Sequence, residues 1–347
     1  MHQPKTNLLI AAIIPVYNTE KYLEDCINSI LSQTYQKFDI YIINDASTDK
    51  SKDILQKFAL KDPRIHLFNQ HTNSGVSKAR NYALELIERE NKHDVICFID
   101  SDDLVAKDYF DSISQNFAAI ETECLIVGYK EFNKNTKMPV KRKTYTQLQL
   151  NQDDAYHFCF GLGGFSQKDF CSISSSLWNM SFKSQPIKGI RFDEKISTAE
   201  DQDYILKCLA KIKKLNIDDN IYYFYRIRNS SLTNTNRIRI SDIDVFLNWI
   251  KQNYKMSHAC REVVEHLAFQ NFWRAVRSAA NEKKLLSFWN ELKARLLVME
   301  RTFVTTELQS RQSKKRIFIF KLGKFALYSY FKLTKKSTAH SKINAFD

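Results

Sequence analysis

Residues that crosslink a chain or interrupt its regular structure are scarce in this sequence. Its 347 residues include seven glycines, five prolines and seven cysteines. The cysteines are odd in number and none is spaced C-x-x-C, which argues against a disulfide framework and against a zinc site. The eight histidines show no paired metal-ligand spacing. We therefore expect reduced thiols and a cytoplasmic location.

Long apolar runs are also missing. The segment "LLIAAIIPVYN" near the start is short, contains Pro15 and follows no charged leader. It indicates a buried strand and not a signal peptide, so nothing in the sequence predicts export.

Acidic residues are nearly absent from the last part of the chain, where Asp347 is the one that follows Glu307. From Leu308 to Phe346 there are ten Lys or Arg and no Asp or Glu, and this segment accounts for most of the net charge of +13. As a helix, residues 311–336 would place lysines on one face and apolar residues on the other, which suits peripheral contact with an anionic membrane. Lys321 and Lys324 interrupt the apolar run along the sequence, far short of the length that a membrane span requires. The alternative is a surface helix packed on the catalytic domain or on another subunit.

Strand-like apolar runs alternate with helical patterns in the first hundred residues. The strand-like runs cover residues 8–16, 38–45, 65–70 and 94–100. This βαβαβαβ order predicts an α/β fold with a mostly parallel sheet flanked by helices. Ligands bind such sheets at the carboxyl ends of the strands, where "PVYN", "NDAST" and "DSDD" are found.

The pattern weakens beyond residue 104 and becomes helical after about 234. We predict a catalytic domain over residues 1–235, with a nucleotide-binding half (1–103) and an acceptor-side half (104–235). Residues 236–347 are expected to form a helical C-terminal region.

The run "VICFIDSDDL" ends a buried strand in three carboxylates, Asp100, Asp102 and Asp103. Like charges this close raise one another's pKa unless a cation joins them. Oxygen ligands without nearby Cys or His favour Mg²⁺ or Mn²⁺. The alternative is a solvated loop in which aspartates form turns or cap a helix.

Several motifs occur together in a recognisable order. "IIPVYN", "INDASTD", "NSGVSKARN" and "FIDSDD" are followed by "LWNMSFK", "IRFDEKISTAEDQDY" and "YYFYRIRNSSLT". This series resembles family 2 glycosyltransferases, the inverting enzymes of the GT-A fold, of the type that builds capsule and lipopolysaccharide. The resemblance covers residues 8–234.

The resemblance implies roles for the donor side of the site. Pro15 and Tyr17 would shape the pocket and stack on the base, Asn18 would cap the next helix, and Asp45 would accept a hydrogen bond from uracil. Asp102 would bind the metal, Asp100 would contact the ribose or the metal, and Asp103 would hold a metal-bound water or cap a helix. The remaining residues assigned to the nucleotide sugar are Arg80, Ser101, Arg226 and Arg228.

The resemblance also implies an acceptor side. In "AEDQDY", Asp201 would be the catalytic base and Glu200 would orient it or the acceptor, whereas Asp203 is expected to be solvated. Trp178 would form a platform under a sugar ring, with a core position as the alternative.

Together these features predict an inverting transfer of a hexosyl or N-acetylhexosaminyl group. The donor would be a UDP-sugar, the acceptor a glycan or a lipid-linked glycan at the cytoplasmic face of the inner membrane, and nucleic acid is not expected as a partner. The alternatives are an aspartate- and Mg²⁺-dependent phosphohydrolase or phosphotransferase, and a non-catalytic module that binds sugar nucleotides.

Overall fold

The computed structural model describes most of the chain, and its described residues fall in two compact units. The described residues are 7–119, 121–133, 147–162, 176–196, 199–228, 241–252, 256–281, 285–303 and the single positions 314, 317, 320 and 321. The first unit comprises Met1–Lys195 and Glu200–Ser231, and the second comprises Ile196–Ala199 and Leu232–Asp347.

Apolar segments and amphipathic helices alternate through the first part of the sheet. In chain order they are β1 (Ile10–Val16), α1 (Glu20–Leu31), β2 (Phe38–Asn44), α2 (Ser51–Ala59), β3 (Ile65–Asn69), α3 (Val76–Glu90) and β4 (Val95–Phe98). β1 lies between β2 and β4, β3 lies beyond β2, and all three pairs are parallel. The predicted order of four strands and three helices is confirmed.

The second part of the sheet contains both strand directions. Its elements are β5 (Leu104–Val105), α4 (Tyr109–Ala119), β6 (Cys124–Phe132), β7 (Gln147–Leu150), α5 (Gln152–Phe160), a 3₁₀ turn (Leu177–Asn179), β8 (Met180–Lys183), α6 (Glu200–Leu209) and β9 (Leu215–Arg226). β8 is antiparallel to both β4 and β6, and β9 is parallel to β6. The two reversals cancel, so β6 and β9 point in the same direction as β4.

The sheet has the strand order β3-β2-β1-β4-β8-β6-β9-β5, with β7 also paired to β9. β5 and β7 are antiparallel to β9. Within the described residues, β1 to β4, β6 and β9 therefore share one direction and three strands oppose them. The carboxyl ends of β1, β2, β4 and β9 consequently lie along one edge.

Apolar side chains bury both faces of this sheet. On one face, Ile14 of β1 belongs to a cluster that includes Leu23 of α1 and Ile113 of α4. On the other, α3 packs on β1 and β2, and Tyr204 of α6 meets Phe98 of β4 edge to face, with ring centroids 5.7 Å apart. Side chains alternate between the faces of a strand, so one continuous apolar strand serves both layers.

The second unit is helical in its described residues. Its helices are α7 (Ser241–Gln252), α8 (His258–Asn281) and α9 (Leu285–Thr302). Phe320 is buried in this unit, with its ring centroid 4.6 Å from that of Trp289. Most of the predicted amphipathic segment, residues 311–336, lies outside the described residues. None of the helices described here is long and apolar enough to cross a bilayer.

Candidate active site

The predicted site residues collect at the edge where four strands end. Tyr17 follows β1, Asp45 follows β2 and Asp100 follows β4, while Arg226 ends β9. The N-terminus of α6 adds Glu200 and Asp201 to the same region, because Arg80 of α3 contacts both of them and Asp100.

The acidic turn after β4 is held in place by β9. The backbone N–H of Asp100 donates to the hydroxyl of Tyr223 at 3.1 Å, and that hydroxyl donates to Asp103 Oδ2 at 2.9 Å. Asp103 Oδ1 accepts from the backbone N–H of Arg226 at 2.7 Å. Both oxygens of the buried Asp103 carboxylate are thus occupied by protein donors. Both donors belong to β9, so the Asp103 carboxylate neither caps a helix nor faces the open site.

Asp102 faces two arginines from the end of β9. Arg228 Nε lies 2.6 Å from Asp102 Oδ2, and Arg226 Nε donates to the Asp102 carbonyl oxygen at 2.6 Å. The ring of Tyr22 lies beneath both guanidinium groups, with centroid distances of 4.9 Å for Arg226 and 5.5 Å for Arg228. Cation–π contact of this kind fixes the direction of a guanidinium.

Arg80 is surrounded by carboxylates. Its Nη1 lies 2.6 Å from Asp201 Oδ1 and 3.8 Å from Glu200 Oε1, and its Nη2 lies 3.2 Å from Asp100 Oδ1. Only 4% of the Arg80 side chain is exposed. Burial lowers the pKa of this guanidinium, but the three carboxylates outweigh it and leave the pKa above its usual value.

Burial raises the pKa of four carboxylic acids at this edge of the sheet. It raises the pKa of Asp100 to about 6, although Arg80 opposes the change, and the pKa of Glu200 to about 7, with Asp201 adding to the rise. The pKa values of Asp102 and Asp103 are raised by the same cause. Since burial is the main cause, these shifts show that the acids are withdrawn from solvent, and they do not by themselves identify a cation site.

The nucleoside-side residues differ in their surroundings. Tyr17 is 48% exposed and Pro15 is partly exposed within β1. The carboxylate of Asp45 accepts hydrogen bonds from the backbone N–H groups of Ser74 and Gly75, both at 2.8 Å, and so fixes the loop before α3. Contact of Tyr17 and Asp45 with a base remains a prediction.

Asn18 does not cap α1 as the sequence suggested. It has φ +53°, and its Oδ1 accepts from the backbone N–H of Thr48 at 2.8 Å, so it joins the β1 turn to the loop after β2. Thr19 stands before α1 instead, and its hydroxyl donates to that of the buried Ser101 at 3.1 Å. The cap assignment failed because the αL backbone at Asn18 turns its amide toward a distant loop.

Two other residues are more buried than their predicted roles require. Trp178 is 8% exposed and stacks on Tyr223 and Tyr225, at centroid distances of 4.6 and 5.3 Å. This agrees with the core alternative, and its contact with an acceptor sugar stays a prediction. Asp203 was expected in solvent, but it is buried and pairs with Lys207 one helical turn later at 2.6 Å.

Asp100 and Asp102 are the residues that fit a divalent cation. Both supply carboxylate oxygens, the atoms that Mg²⁺ and Mn²⁺ prefer, and both keep part of their side chains exposed. The described residues contain no group of three or more His, Cys, Asp or Glu arranged to hold a metal ion. Since Asp103 is committed to Tyr223 and Arg226, we retain metal binding as a proposal for Asp100 and Asp102 only.

Sequence reasoning missed Tyr22 and Tyr223. Tyr223 lies three residues before Arg226 in "YYFYRIR", and the sequence analysis gave it no role. Tyr22 lies on α1, and nothing in the sequence distinguishes it from its neighbours there. No local pattern identifies either contact, because each partner is distant in the chain.

The chain is similar in sequence to glycosyltransferases of other bacteria. Glycosyltransferase GlyA of Streptococcus pneumoniae serotype 4 is 29% identical over 228 residues, which is 65% of this chain and 31% of that protein. TuaG of Bacillus subtilis, described as a putative teichuronic acid biosynthesis glycosyltransferase, is 40% identical over 149 residues, 42% of this chain and 56% of TuaG. Each match thus covers less than two thirds of the relative.

The fold has solved counterparts as well. Residues 1–349 of Staphylococcus aureus TarS, crystallised with UDP-GlcNAc, superpose with a TM-score of 0.65 at 19% sequence identity, over 83% of this chain and 80% of that one. The predicted GT-A class, a central sheet flanked by helices, is confirmed. Residues 11–178, just under half of the chain, match the model described as glycosyl transferase family 2.

Proposed function

We propose that this protein is a metal-dependent, inverting glycosyltransferase that uses a UDP-sugar. The observation that carries the proposal is the meeting of two acidic elements at one sheet edge, where Arg80 links Asp100 of the turn after β4 to Asp201 at the start of α6. A donor diphosphate and a general base are needed on opposite sides of a sugar. In this arrangement the turn with Asp100 would lie on the diphosphate side and Asp201 on the side of the base.

In the proposed reaction an acceptor hydroxyl attacks the anomeric carbon from the face opposite the diphosphate. Asp201 accepts the hydroxyl proton, the new C–O bond forms, and the anomeric bond to the phosphate oxygen breaks with its electron pair leaving on UDP. A positioned general base contributes roughly 10²–10⁴ in rate. Glu200, which lies beside Asp201 and near the same Arg80 nitrogen, would orient the base or the acceptor.

The proposed reaction also requires positive charge near the leaving diphosphate. A divalent cation held by Asp100 and Asp102 would supply positive charge to the diphosphate. Arg226 and Arg228 lie at the end of β9 beside Asp102, and an arginine presents two parallel N–H groups that match a phosphate. We assign both arginines to the diphosphate, and each also contacts Asp102 of the turn.

The cellular role follows from the same proposal. TuaG is named for teichuronic acid biosynthesis and TarS was crystallised with UDP-GlcNAc, which supports a hexosyl or N-acetylhexosaminyl donor and a surface polysaccharide as product. We place the enzyme at the cytoplasmic face of the membrane. No disulfide joins the six cysteines in the described ranges, which is compatible with a reducing compartment. The basic C-terminal segment would meet anionic lipid at that face.

The test is a panel of sugar nucleotides assayed for nucleotide release by the full chain, with Mn²⁺, with Mg²⁺ and with EDTA. We expect UDP release from a UDP-sugar, and this release should require the cation. The rate should fall about 10²–10⁴-fold in Asp201→Asn. UDP binding should survive in Asp201→Asn and fall in Asp102→Asn, because only the second variant touches the donor side.

Two results would contradict the proposal. Mg²⁺-dependent release of inorganic phosphate from phosphate esters, without release of UDP from any sugar nucleotide, would favour a phosphohydrolase. Tight UDP binding without turnover of any donor would favour a non-catalytic module.

A further inference from the structure

Arg80 stands between the donor side and the acceptor side of the proposed site. One end of its guanidinium contacts Asp201 at 2.6 Å, and the other end contacts Asp100 at 3.2 Å. Asp100 and Asp201 are about a hundred positions apart in the chain, in the turn after β4 and at the start of α6. Within the described residues, Arg80 is the direct link between them.

The side chain leaves little surface for a ligand. Arg80 is buried, and its guanidinium carbon lies 5.4 Å from the ring centroid of Phe192, which closes another side. The sequence prediction placed Arg80 on the nucleotide. The structure instead directs both of its terminal nitrogens to protein carboxylates.

We propose that Arg80 is a positioning residue that acts through Asp201 and does not bind the nucleotide. The inference rests on the proposed function, in which Asp201 is the base. Arg80 holds the Asp201 carboxylate in one orientation and ties that orientation to Asp100 on the donor side. A planar guanidinium can serve two carboxylates at fixed directions, which a lysine ammonium cannot do.

The backbone around Arg80 supports this role. Arg80 lies on α3, and the loop before α3 is fixed by Asp45 through the N–H groups of Ser74 and Gly75. Asn81, the next residue, bonds the backbone N–H of Phe192 through its Oδ1 at 2.9 Å, which ties α3 to the segment before α6. The first turns of α3 therefore form a rigid support for the base.

The experiment compares Arg80→Gln and Arg80→Lys with the wild type in two assays. Turnover is measured as UDP release from the UDP-sugar that the wild type uses, and binding is measured calorimetrically with UDP and Mn²⁺. We expect kcat to fall about 100-fold in Arg80→Gln and about tenfold in Arg80→Lys. The Kd for UDP should change less than about threefold, because no nucleotide contact is lost.

Arg64→Gln is the matched control. It removes another arginine–carboxylate pair of the same unit, Arg64 with Asp62 at 2.7 Å, away from the site. Its kcat should match that of the wild type. A loss of turnover shared by both variants would indicate impaired folding.

The double variant Arg80→Gln with Asp201→Asn separates the mechanisms even if Arg80→Gln folds poorly, because it carries no unpaired Asp201 charge. If Arg80 acts through Asp201, the double variant should be no more than about threefold slower than Asp201→Asn. The inference would be overturned if the kcat reductions of the two single variants multiplied in the double variant. It would also be overturned if the Kd for UDP rose as much as kcat fell in Arg80→Gln. Neither result would contradict the proposed transferase activity. An inactive wild type would instead remove the proposed function, and this inference with it.

Discussion

At the scale of single residues, the site pairs its charges within the protein. Asp102 faces Arg228, Asp201 and Asp100 share Arg80, and Asp103 takes its donors from Tyr223 and a backbone N–H. Burying charges costs free energy that such pairs only partly return, so they are weak contributors to stability. These pairs instead fix the orientation of the carboxylates. Removing one member of a pair leaves the other buried without its partner.

Tyr223→Phe tests this sensitivity without changing any charge. The Tyr223 hydroxyl accepts from Asp100 N–H and donates to Asp103, so its removal leaves a buried carboxylate oxygen and a backbone N–H each short of a partner. We expect the free energy of unfolding to fall by about 1–3 kcal/mol. Urea unfolding of the full chain, followed by circular dichroism, measures it.

Tyr41→Phe is the control for this variant. The Tyr41 hydroxyl donates at 2.7 Å to Glu90, which is partly exposed, so water can replace the lost partner. The cost should stay below about 1 kcal/mol. Equal small losses in both variants would show that Tyr223 does not hold the acidic turn.

The sequence could identify the acids of the site but not their partners. The order of "FIDSDD" and "AEDQDY" along the chain was enough to single out Asp100, Asp102 and Asp201. The partner of each lies between 20 and 126 positions away in the chain, as the residue numbers of Arg80 and Arg228 show. Hydrogen bonds at such separations depend on the packed sheet, and no local pattern encodes them.

At the scale of elements, predictability followed the environment of each strand. β1, β2 and β4 are buried on both faces and appear as continuous apolar runs, so the sequence predicted them with their helices. β5 and β7 have two and four residues, which is too short for a periodic signal. β8 is a four-residue strand whose antiparallel place between β4 and β6 is set by tertiary packing.

A bulge in the β6–β9 pair supplies a prediction at this scale. The register shifts on both sides of Gly128, where an added Cβ would overlap the carbonyl oxygen of Asp219 and lie 2.8 Å from that of Asn220. These atoms are backbone and cannot rotate away. Gly128→Ala should therefore lower the free energy of unfolding by about 3 kcal/mol.

Gly189→Ala is the matched control for the bulge variant. Gly189 has φ +80° but no atom within 4 Å of an added Cβ, so only backbone strain is introduced. We expect a cost of about 1 kcal/mol. Thermal unfolding of both variants measures the two losses of stability. Equal losses would mean that β6 and β9 separate easily at the bulge.

At the scale of the whole molecule, charge is unevenly distributed along the chain. The acidic site lies in the first unit, whereas residues 308–346 carry ten basic side chains and no acidic ones. Part of this segment is already engaged, because Phe320 is buried in the second unit and Lys321 pairs with Glu300 at 2.7 Å. Deleting the whole segment would therefore expose apolar surface as well as remove charge.

A charge substitution tests membrane contact more cleanly than a deletion. Replacing Lys324, Lys332 and Lys335 with glutamine removes three charges and keeps Phe320. Because each lysine near an anionic surface contributes about 1 kcal/mol, binding to phosphatidylglycerol-containing vesicles should fall about 100-fold, with no change on neutral vesicles. The matched control replaces Lys52, Lys57 and Lys61, which are exposed in the first unit. If the control lowers vesicle binding as much, attraction depends on net charge alone, and the C-terminal segment is not the membrane-binding element.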